Sequence, residues 1–143
     1  CDLIGQIWGN RPPLPHEKIF SLSEELTGES VASKLSRLRN QMSLQGASLH
    51  ILTSLDDIAW LLNLRGNDVA YTPVFLAYAV ISHKDILLFL DETKLSENLT
   101  DISVHPYDEI YTYVQTISNS DTLLFDPAKL NYRLFKSGCN FVS

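Results

Sequence analysis

The sequence has few cysteines, and those it has do not form a recognisable framework. Only two cysteines occur in 143 residues, Cys1 and Cys139, at opposite ends of the chain. A small secreted scaffold carries several closely spaced cysteines instead. Cys1 and Cys139 would pair only where the chain termini meet. Reduced thiols in a cytoplasmic protein are therefore the simpler interpretation.

Basic residues are also scarce, and they are scattered along the chain. Eleven Lys and Arg residues face 17 Asp and Glu residues, which gives a net charge of −6. A nucleic-acid surface needs clustered basic side chains to neutralise phosphates. The closest group, Lys34, Arg37 and Arg39, is expected to form the solvated face of one helix. We therefore predict no nucleic-acid partner.

Long apolar runs are absent as well. The longest run, residues 74–81, has the length of a buried strand, whereas a membrane-spanning helix needs about 20 residues. The sequence begins with Cys1-Asp2 and shows no basic and apolar leader, so we expect no signal peptide. These features predict a cytoplasmic protein without a membrane partner. Its 45% hydrophobic and 20% charged residues are typical of one ordinary globular domain.

The hydrophobic pattern predicts alternating helices and strands. Val31, Leu35, Leu38 and Met42 recur at helical spacing, which predicts a helix over residues 30–45 that ends at Gly46. Further helices are predicted over residues 55–62, 108–118 and 131–135. Short apolar and β-branched runs predict strands over residues 48–53, 74–82, 86–90, 102–104 and 122–125.

Two of these strands determine the predicted fold class. His83-Lys84-Asp85 separates residues 74–82 from residues 86–90, so the two should form a hairpin. Both are almost continuously apolar, which is typical of strands covered on both faces. We predict an α/β fold with a mixed, mostly buried β-sheet that is flanked by helices on both faces.

Composition divides the chain into three parts. Residues 1–28 are predicted to be a linker, because glycines and three prolines interrupt them. Residues 29–135 are predicted to form a single α/β domain. Residues 136–143 would begin a second linker.

The predicted helix over residues 55–62 begins and ends with clear signals. Ser54 and Asp57 have the spacing of a capping box, and Gly66 is expected to end the helix. Trp60 and Leu61 should widen the side of the helix that faces the core.

Three polar residues follow that helix and are the candidate site. Arg65, Asn67 and Asp68 should lie at the rim of a well-anchored element, where a loop can meet a ligand or a partner domain. The alternative interpretation is a helix C-cap surrounded by solvated charges.

Residues that could carry catalysis are dispersed. The four histidines have no neighbour at metal-ligand spacing: His16, His50, His83 and His105. Asp56 and Asp57 fit the first turn of a helix, where negative charge is favourable. Asp91 and Glu92 are expected to cap a short helix together with Thr93. We predict no catalytic residue and no metal ligand in this sequence.

A family resemblance rests on several segments. Residues 55–68, followed by Pro73-Val74-Phe75, resemble the corresponding stretch of the long, multidomain Xaa-Pro aminopeptidases (aminopeptidase P). Residues 7–15 resemble the linker that leaves the first domain of those enzymes, and residues 104–107 and 126–128 are similar at matching spacing. The resemblance implies their middle domain, a creatinase-amino-terminal-type module, and a creatinase/prolidase N-terminal-domain-like fold.

The same resemblance implies where the chemistry lies. Enzymes of that family cleave the bond before a proline at the second position, using two divalent metal ions held by a downstream domain. The resemblance implies that residues 1–28 come from a preceding domain and that residues 136–143 lead to the missing catalytic domain. It implies Mn or Zn in that missing domain and no cofactor in this chain. Its implied partners are the catalytic domain, the preceding N-terminal domain and a peptide substrate with proline at the second position. It also allows a homodimer of the parent.

Our functional hypothesis combines these points. The chain would be a non-catalytic middle domain that packs on the catalytic domain and forms a wall of the active-site entrance. Arg65 would lie nearest the entrance, because a guanidinium holds a carboxylate or carbonyl in a fixed geometry. Asn67 and Asp68 would orient it or contact the partner domain. The alternatives are a stand-alone α/β interaction or binding module and the equivalent domain of a prolidase- or creatinase-type enzyme.

Overall fold

A mixed β-sheet forms the centre of the computed structural model, which describes residues 3–96, 98–137 and 141–142. The described residues form the strands β1 (Phe20–Ser21), β2 (Leu49–Leu52), β3 (Leu64–Arg65), β4 (Tyr78–Ser82), β5 (Ile86–Leu90), β6 (Ser103–Pro106), β7 (Leu123–Leu124) and β8 (Phe141–Val142). The helices are α1 (Leu3–Ile7), α2 (Glu24–Thr27), α3 (Val31–Leu44), α4 (Leu55–Leu62), α5 (Ile110–Thr116) and α6 (Tyr132–Lys136). Two 3-10 turns cover Glu92–Lys94 and Tyr107–Glu109.

Six strands form the main sheet in the order β6-β5-β4-β2-β7-β8. Strands β4 and β5 are the predicted antiparallel hairpin, and β2 also pairs antiparallel with β4. The pairs β5–β6, β2–β7 and β7–β8 are parallel. Strands β1 and β3 form a separate antiparallel pair that places Phe20 opposite Arg65. The prediction of a mixed sheet is confirmed.

Side chains of alternate hairpin residues belong to two hydrophobic cores, one on each face of the sheet. Ala79 and Ile81 pack with buried side chains of α3 and α4, and Tyr78 and Val80 pack with those of α5 and α6. This alternation follows from the two-residue period of a strand. Because both faces are covered, neither strand has a polar side, and the predicted placement of helices on both faces is confirmed.

The ends of α4 differ from their predicted form. Ser54 makes no side-chain capping bond to the described backbone, and α4 ends at Asn63, whose φ of 54° is left-handed. Asparagine tolerates this conformation, so the expected helix stop at Gly66 is wrong. Gly66 is instead needed for packing, since a Cβ there would lie 2.9 Å from Cβ of Phe75. The predicted stop at Gly46 fits its φ of 66° just after α3.

Two side chains lie on unexpected sides of their helices. Lys34 was expected on the solvated face of α3 but is only 2% exposed, and Trp60 was expected to face the core but is 47% exposed. The two errors share a cause, because Lys34 crosses to the end of α4 beneath the Trp60 ring.

A buried ion pair fixes the loop after β3. Lys94 Nζ donates to Oδ2 of Asp68, and the two side chains are 2% and 0% exposed. Asp68 Oδ2 also accepts from the backbone N–H of Leu76 at 2.7 Å. Oδ1 of Asp68 has no hydrogen-bond partner in the described part of the chain. Lys94 is therefore the principal counter-charge of this carboxylate.

Residues 18–21, within the segment predicted to be a linker (residues 1–28), pack beside the same ion pair. Ile19 is buried in the core, and its N–H donates to the carbonyl of Lys94 at 2.9 Å. Lys18 Nζ donates to the carbonyl of Thr93 at 2.8 Å. The division into linker, domain and linker stays a prediction, although residues 18–21 contact the domain closely. Cys1 and Cys139 lie outside the described residues.

Asp91 joins this segment to the 3-10 turn. Its Oδ1 accepts from both the N–H and the hydroxyl of Thr93, as predicted for a cap. Its Oδ2 lies 2.8 Å from Nδ1 of His16. The hydrogen bonds from Thr93, and then the one from His16, lower the pKa of Asp91 from 3.8 to about 2.

Breaking the Lys94–Asp68 pair should destabilise the domain strongly. Lys94→Met leaves a buried carboxylate without its counter-charge, and we expect the free energy of unfolding in urea to fall by about 3–5 kcal/mol. Adding Asp68→Asn should recover part of that loss, because asparagine still accepts from Leu76 without a charge. Lys84→Met, at an exposed lysine, is the control. A Lys94→Met variant as stable as this control would contradict the assignment.

Asp91 should contribute to the acid sensitivity of the domain. Because folding lowers its pKa, the stability it contributes is present above about pH 4 and is lost as pH falls toward about 2. Asp91→Asn should therefore flatten the decline of unfolding free energy over this range, measured by urea denaturation at several pH values. Glu25→Gln, at an exposed carboxylate of α2, should keep the wild-type slope. An unchanged slope in Asp91→Asn would refute this role.

Candidate functional site

Arg65 lies at the carboxyl end of α4. Its Nη1 donates to the carbonyl oxygens of Ala59 at 2.7 Å and Leu64 at 2.8 Å. A cation is favourable there, because the carboxyl end of a helix carries partial negative charge. The alternative of a helix C-cap thus describes part of its role. Nε and Nη2 of Arg65 make no hydrogen bond within the described residues.

A second cation, Lys34, also bonds to the carboxyl end of α4. Lys34 Nζ donates to the carbonyl of Trp60 at 2.7 Å and to Oδ1 of Asn63 at 2.6 Å. Burial lowers the pKa of Lys34, Glu29 opposes that effect, and the neighbouring Arg65 adds to it. Asn63 in turn donates to the carbonyl of Glu29 at 3.0 Å. The end of α4 is therefore rigidly held by side chains.

The ring of Trp60 lies against the cationic groups of Lys34 and Arg37. Lys34 Nζ lies 4.5 Å and the Arg37 guanidinium carbon 5.7 Å from the centre of its ring. Arg37 also pairs with Glu29, with Nη2 2.7 Å from Oε2. We call Lys34, Arg37, Trp60 and Arg65 the α4 corner. In a chain of net charge −6, it is a local concentration of basic and aromatic groups. Of these residue types, arginine and the aromatics are enriched at protein interfaces.

The other two candidate residues are placed differently. Asn67 is exposed two residues after Arg65. Asp68 is buried in the ion pair with Lys94, so its carboxylate holds the loop in place. The structure thus leaves Asn67 exposed and Arg65 half-buried, and it buries the Asp68 side chain. An interface role for these residues stays a prediction.

A tyrosine cluster on the opposite face of the sheet joins three elements. The hydroxyls of Tyr78 and Tyr111 lie 3.2 Å apart, and Asn131 Nδ2 donates to Tyr78 at 3.1 Å. Burial raises the pKa values of Tyr78 and Tyr111 to about 12, so both stay protonated at neutral pH. The Arg133 guanidinium carbon stacks 3.7 Å from the centre of the Tyr111 ring. The cluster links β4, α5 and α6 and has a structural role.

The histidines occupy separate structural positions. His50 Nδ1 is 3.0 Å from the carbonyl of Leu124, and burial lowers the pKa of His50. His83 Nε2 is 3.0 Å from the carbonyl of Ala47, and His105 stacks on Phe89 with ring centres 5.3 Å apart.

The described residues do not suit a pair of metal ions. They contain no group of three His, Cys, Asp or Glu side chains placed to hold one, and a site usually needs at least three protein ligands. The two divalent ions that the resemblance implies therefore do not fit this part of the chain. The described helices are also too short or too polar to span a membrane.

Sequence reasoning missed Lys94, Trp60 and the loop tip at Tyr71. Lys94 lies 26 positions from Asp68, and no local pattern connects the two. Trp60 belongs to an apolar run, which predicts burial. Tyr71 has a φ of 62°, a conformation that the sequence signals only when glycine or asparagine occupies the position.

Comparison with known proteins identifies sequence relatives of this chain. The chain is 40% identical over 115 residues to Xaa-Pro aminopeptidase 1 of Dictyostelium discoideum, a match that covers 77% of this chain and 18% of the relative. It is 34% identical over 131 residues to a protein of Coprinopsis cinerea named Probable Xaa-Pro aminopeptidase P, covering 87% of this chain and 21% of the relative. The chain thus spans about a fifth of the length of the curated relatives it matches.

Solved structures share the fold. An X-prolyl aminopeptidase from Caenorhabditis elegans, described as a cytosolic enzyme with a di-nuclear active site, superposes with a TM-score of 0.88 at 27% identity, covering 99% of this chain and 26% of that one. The creatinase/prolidase N-terminal domain of an X-Pro dipeptidase from Streptococcus pyogenes gives a TM-score of 0.53 at 17% identity, covering 77% of this chain and 93% of that one. The second likeness shows the fold alone.

A family model agrees with both comparisons. The model that describes the creatinase/prolidase N-terminal domain matches residues 10–142, which is nearly the whole sequence. The resemblance found in residues 55–75 is thereby confirmed at the level of the domain. The chain belongs to the creatinase/prolidase N-terminal domain family, in the form similar to that of the Xaa-Pro aminopeptidases.

Proposed function

We propose that this chain is the non-catalytic middle domain of a metal-dependent Xaa-Pro aminopeptidase. In that enzyme it packs on the catalytic domain, forms a wall of the active-site entrance and restricts entry to short peptides. The parent is cytoplasmic and binds two divalent metal ions outside this domain. Its substrate is a peptide with proline at the second position.

One observation carries this proposal. Relatives named Xaa-Pro aminopeptidase match 77–87% of this chain, but the match covers only 18–21% of their own length. Most of such a polypeptide therefore lies outside the matched segment. The described residues offer no cluster of metal ligands, which supports placing the metal chemistry in that remainder. A cytosolic di-nuclear enzyme as structural neighbour supports the proposed location and metal content.

Arg65 is the residue we assign to the entrance or to the domain interface. The α4 corner holds its guanidinium through the carbonyls of Ala59 and Leu64, while Nε and Nη2 point to no described acceptor. A guanidinium held in this way is preorganised for a carbonyl or carboxylate. Asn67, exposed on the same segment, would add an amide to that contact.

The alternatives have less support. A stand-alone binding module does not account for relatives about five times as long as the matched segment. A prolidase-type parent shares the fold, since the Streptococcus pyogenes dipeptidase domain superposes at 17% identity. The Xaa-Pro aminopeptidases are closer in sequence, at 34–40% identity.

Arg65 variants of the full-length polypeptide test the site. Arg65→Lys keeps the charge and can still donate to the helix carbonyls, so stability should remain near wild type. It loses the planar fork, and kcat/KM on Xaa-Pro peptides should fall roughly tenfold. Arg65→Ala should lose roughly ten- to a hundredfold in kcat/KM and about 1 kcal/mol of stability.

Arg39→Lys is the matched control, because Arg39 is also half-buried and donates to a backbone carbonyl, that of Ser82 at 2.9 Å. Its kcat/KM should remain at the wild-type value. Unchanged activity in both Arg65 variants would show that Arg65 acts only as a helix cap. Equal losses in the Arg39 control would point to a general effect on folding.

The 143-residue chain by itself should not hydrolyse peptides. Incubated with Mn²⁺, Co²⁺ or Zn²⁺ and a fluorogenic Xaa-Pro peptide, it should show no turnover above a buffer control, because its described residues lack a metal-binding cluster. Turnover that co-purifies with the chain through two successive columns would refute the non-catalytic assignment.

A further inference from the structure

The loop between β3 and β4 presents an uncharged, apolar tip. We define it as the 67–73 loop. Tyr71 is fully exposed, with a relative accessibility of 107%, and Val69 is 39% exposed. Ala70 and Pro73 are also exposed. Asp68, the one charged residue of the loop, is buried. The tip is therefore apolar and neutral, on a protein whose net charge is −6.

Tyr71 holds an unfavourable backbone conformation. Its φ is 62°, and the other non-glycine residues with positive φ in the described chain are Asn63 and Asp101. Asparagine and aspartate tolerate this region, whereas a bulky side chain there is uncommon. The N–H of Thr72 donates to the carbonyl of Val69 at 3.2 Å, which places Tyr71 at the third position of a tight turn. Glycine or asparagine would suit that position better.

The base of the loop is rigid, so the tip is held in a defined position. The N–H of Asp68 donates to the carbonyl of Val74 at 3.1 Å. The Asp68 carboxylate binds Lys94 and the N–H of Leu76. Gly66 packs against Phe75 with no space for a Cβ. A rigid loop loses little conformational freedom on binding.

We propose that the 67–73 loop is a docking anchor whose Tyr71 ring inserts into an uncharged, apolar pocket of the adjoining catalytic domain. This inference rests on the proposed function and names one contact of that interface. Aromatic anchors that fill apolar pockets dominate binding energy at interfaces. The matched segment is about a fifth of its relatives, so a large adjoining partner is available. The loop also begins two residues after Arg65 and includes Asn67.

Hydrogen exchange of the full-length polypeptide tests this anchor. Tyr71→Asn removes the ring and suits the left-handed conformation, so a purely local role predicts equal or slower exchange of the loop amides. If the loop is docked, the amides of residues 67–76 should instead exchange roughly tenfold faster in Tyr71→Asn than in wild type. Tyr71→Phe keeps the ring and should retain most of the wild-type protection.

Tyr132→Asn is the control, because Tyr132 is another largely exposed tyrosine, at 70%, on a different face of the domain. Its loop exchange should equal that of wild type. Unchanged or slower exchange in Tyr71→Asn would overturn the proposal. Protection that disappears on dilution would also overturn it, because the occupant would then be a second copy of the chain.

Peptidase assays of the same samples separate this inference from the proposed function. A full-length protein that cleaves no Xaa-Pro peptide would refute the proposed activity, while the exchange data would still decide whether the loop is docked. An active enzyme whose loop exchange does not change in Tyr71→Asn would retain the activity and lose the anchor.

Discussion

The buried ion pair of Lys94 and Asp68 is the constraint on which this edge of the domain depends. Lys94 brings its 3-10 turn against the loop after β3, and its carbonyl receives the N–H of Ile19. Three segments distant in sequence thus meet at Lys94, two through the side-chain pair and one through its backbone carbonyl. Buried charges are costly unless they are paired and hydrogen-bonded, so the pair holds the 3-10 turn and the loop after β3 together. The exposed tip of the 67–73 loop follows directly from this buried pair.

The carboxyl end of α4 is organised by a different interaction. The carbonyls of Ala59 and Trp60 accept from the N–H of Asn63, and each accepts a further hydrogen bond from a cation, Arg65 for Ala59 and Lys34 for Trp60. Asn63 turns the chain in the left-handed conformation so that Arg65 can fold back on the helix. The α4 corner is therefore stable without a carboxylate partner for Arg65 in the described chain. This arrangement leaves the Trp60 ring 47% exposed beside the half-buried Arg65.

Sequence patterns predicted the layers of the fold and missed its polar contacts. Continuous apolar strands in the hairpin correctly predicted helices on both faces, because a sheet covered on one side would alternate. Periodicity assigns a residue to a side of a helix but not to a depth, so Lys34 was placed in solvent although its stem reaches under Trp60. Asp68 was recognised as notable, but its partner Lys94 is distant in sequence. Likewise, α4 ends at Asn63 and not at the predicted Gly66. The close packing of Gly66 against Phe75 was not visible in the sequence.

The central claim is that this domain lines the entrance of a catalytic domain that carries the metal site. A crystal structure of the full-length polypeptide with a bound proline-containing peptide inhibitor would test it most directly. We predict that every metal ligand lies outside residues 1–143 and that Arg65 and the 67–73 loop contact the catalytic domain or the inhibitor. A structure in which this face points to solvent, or in which a residue of this chain binds a metal ion, would contradict the account.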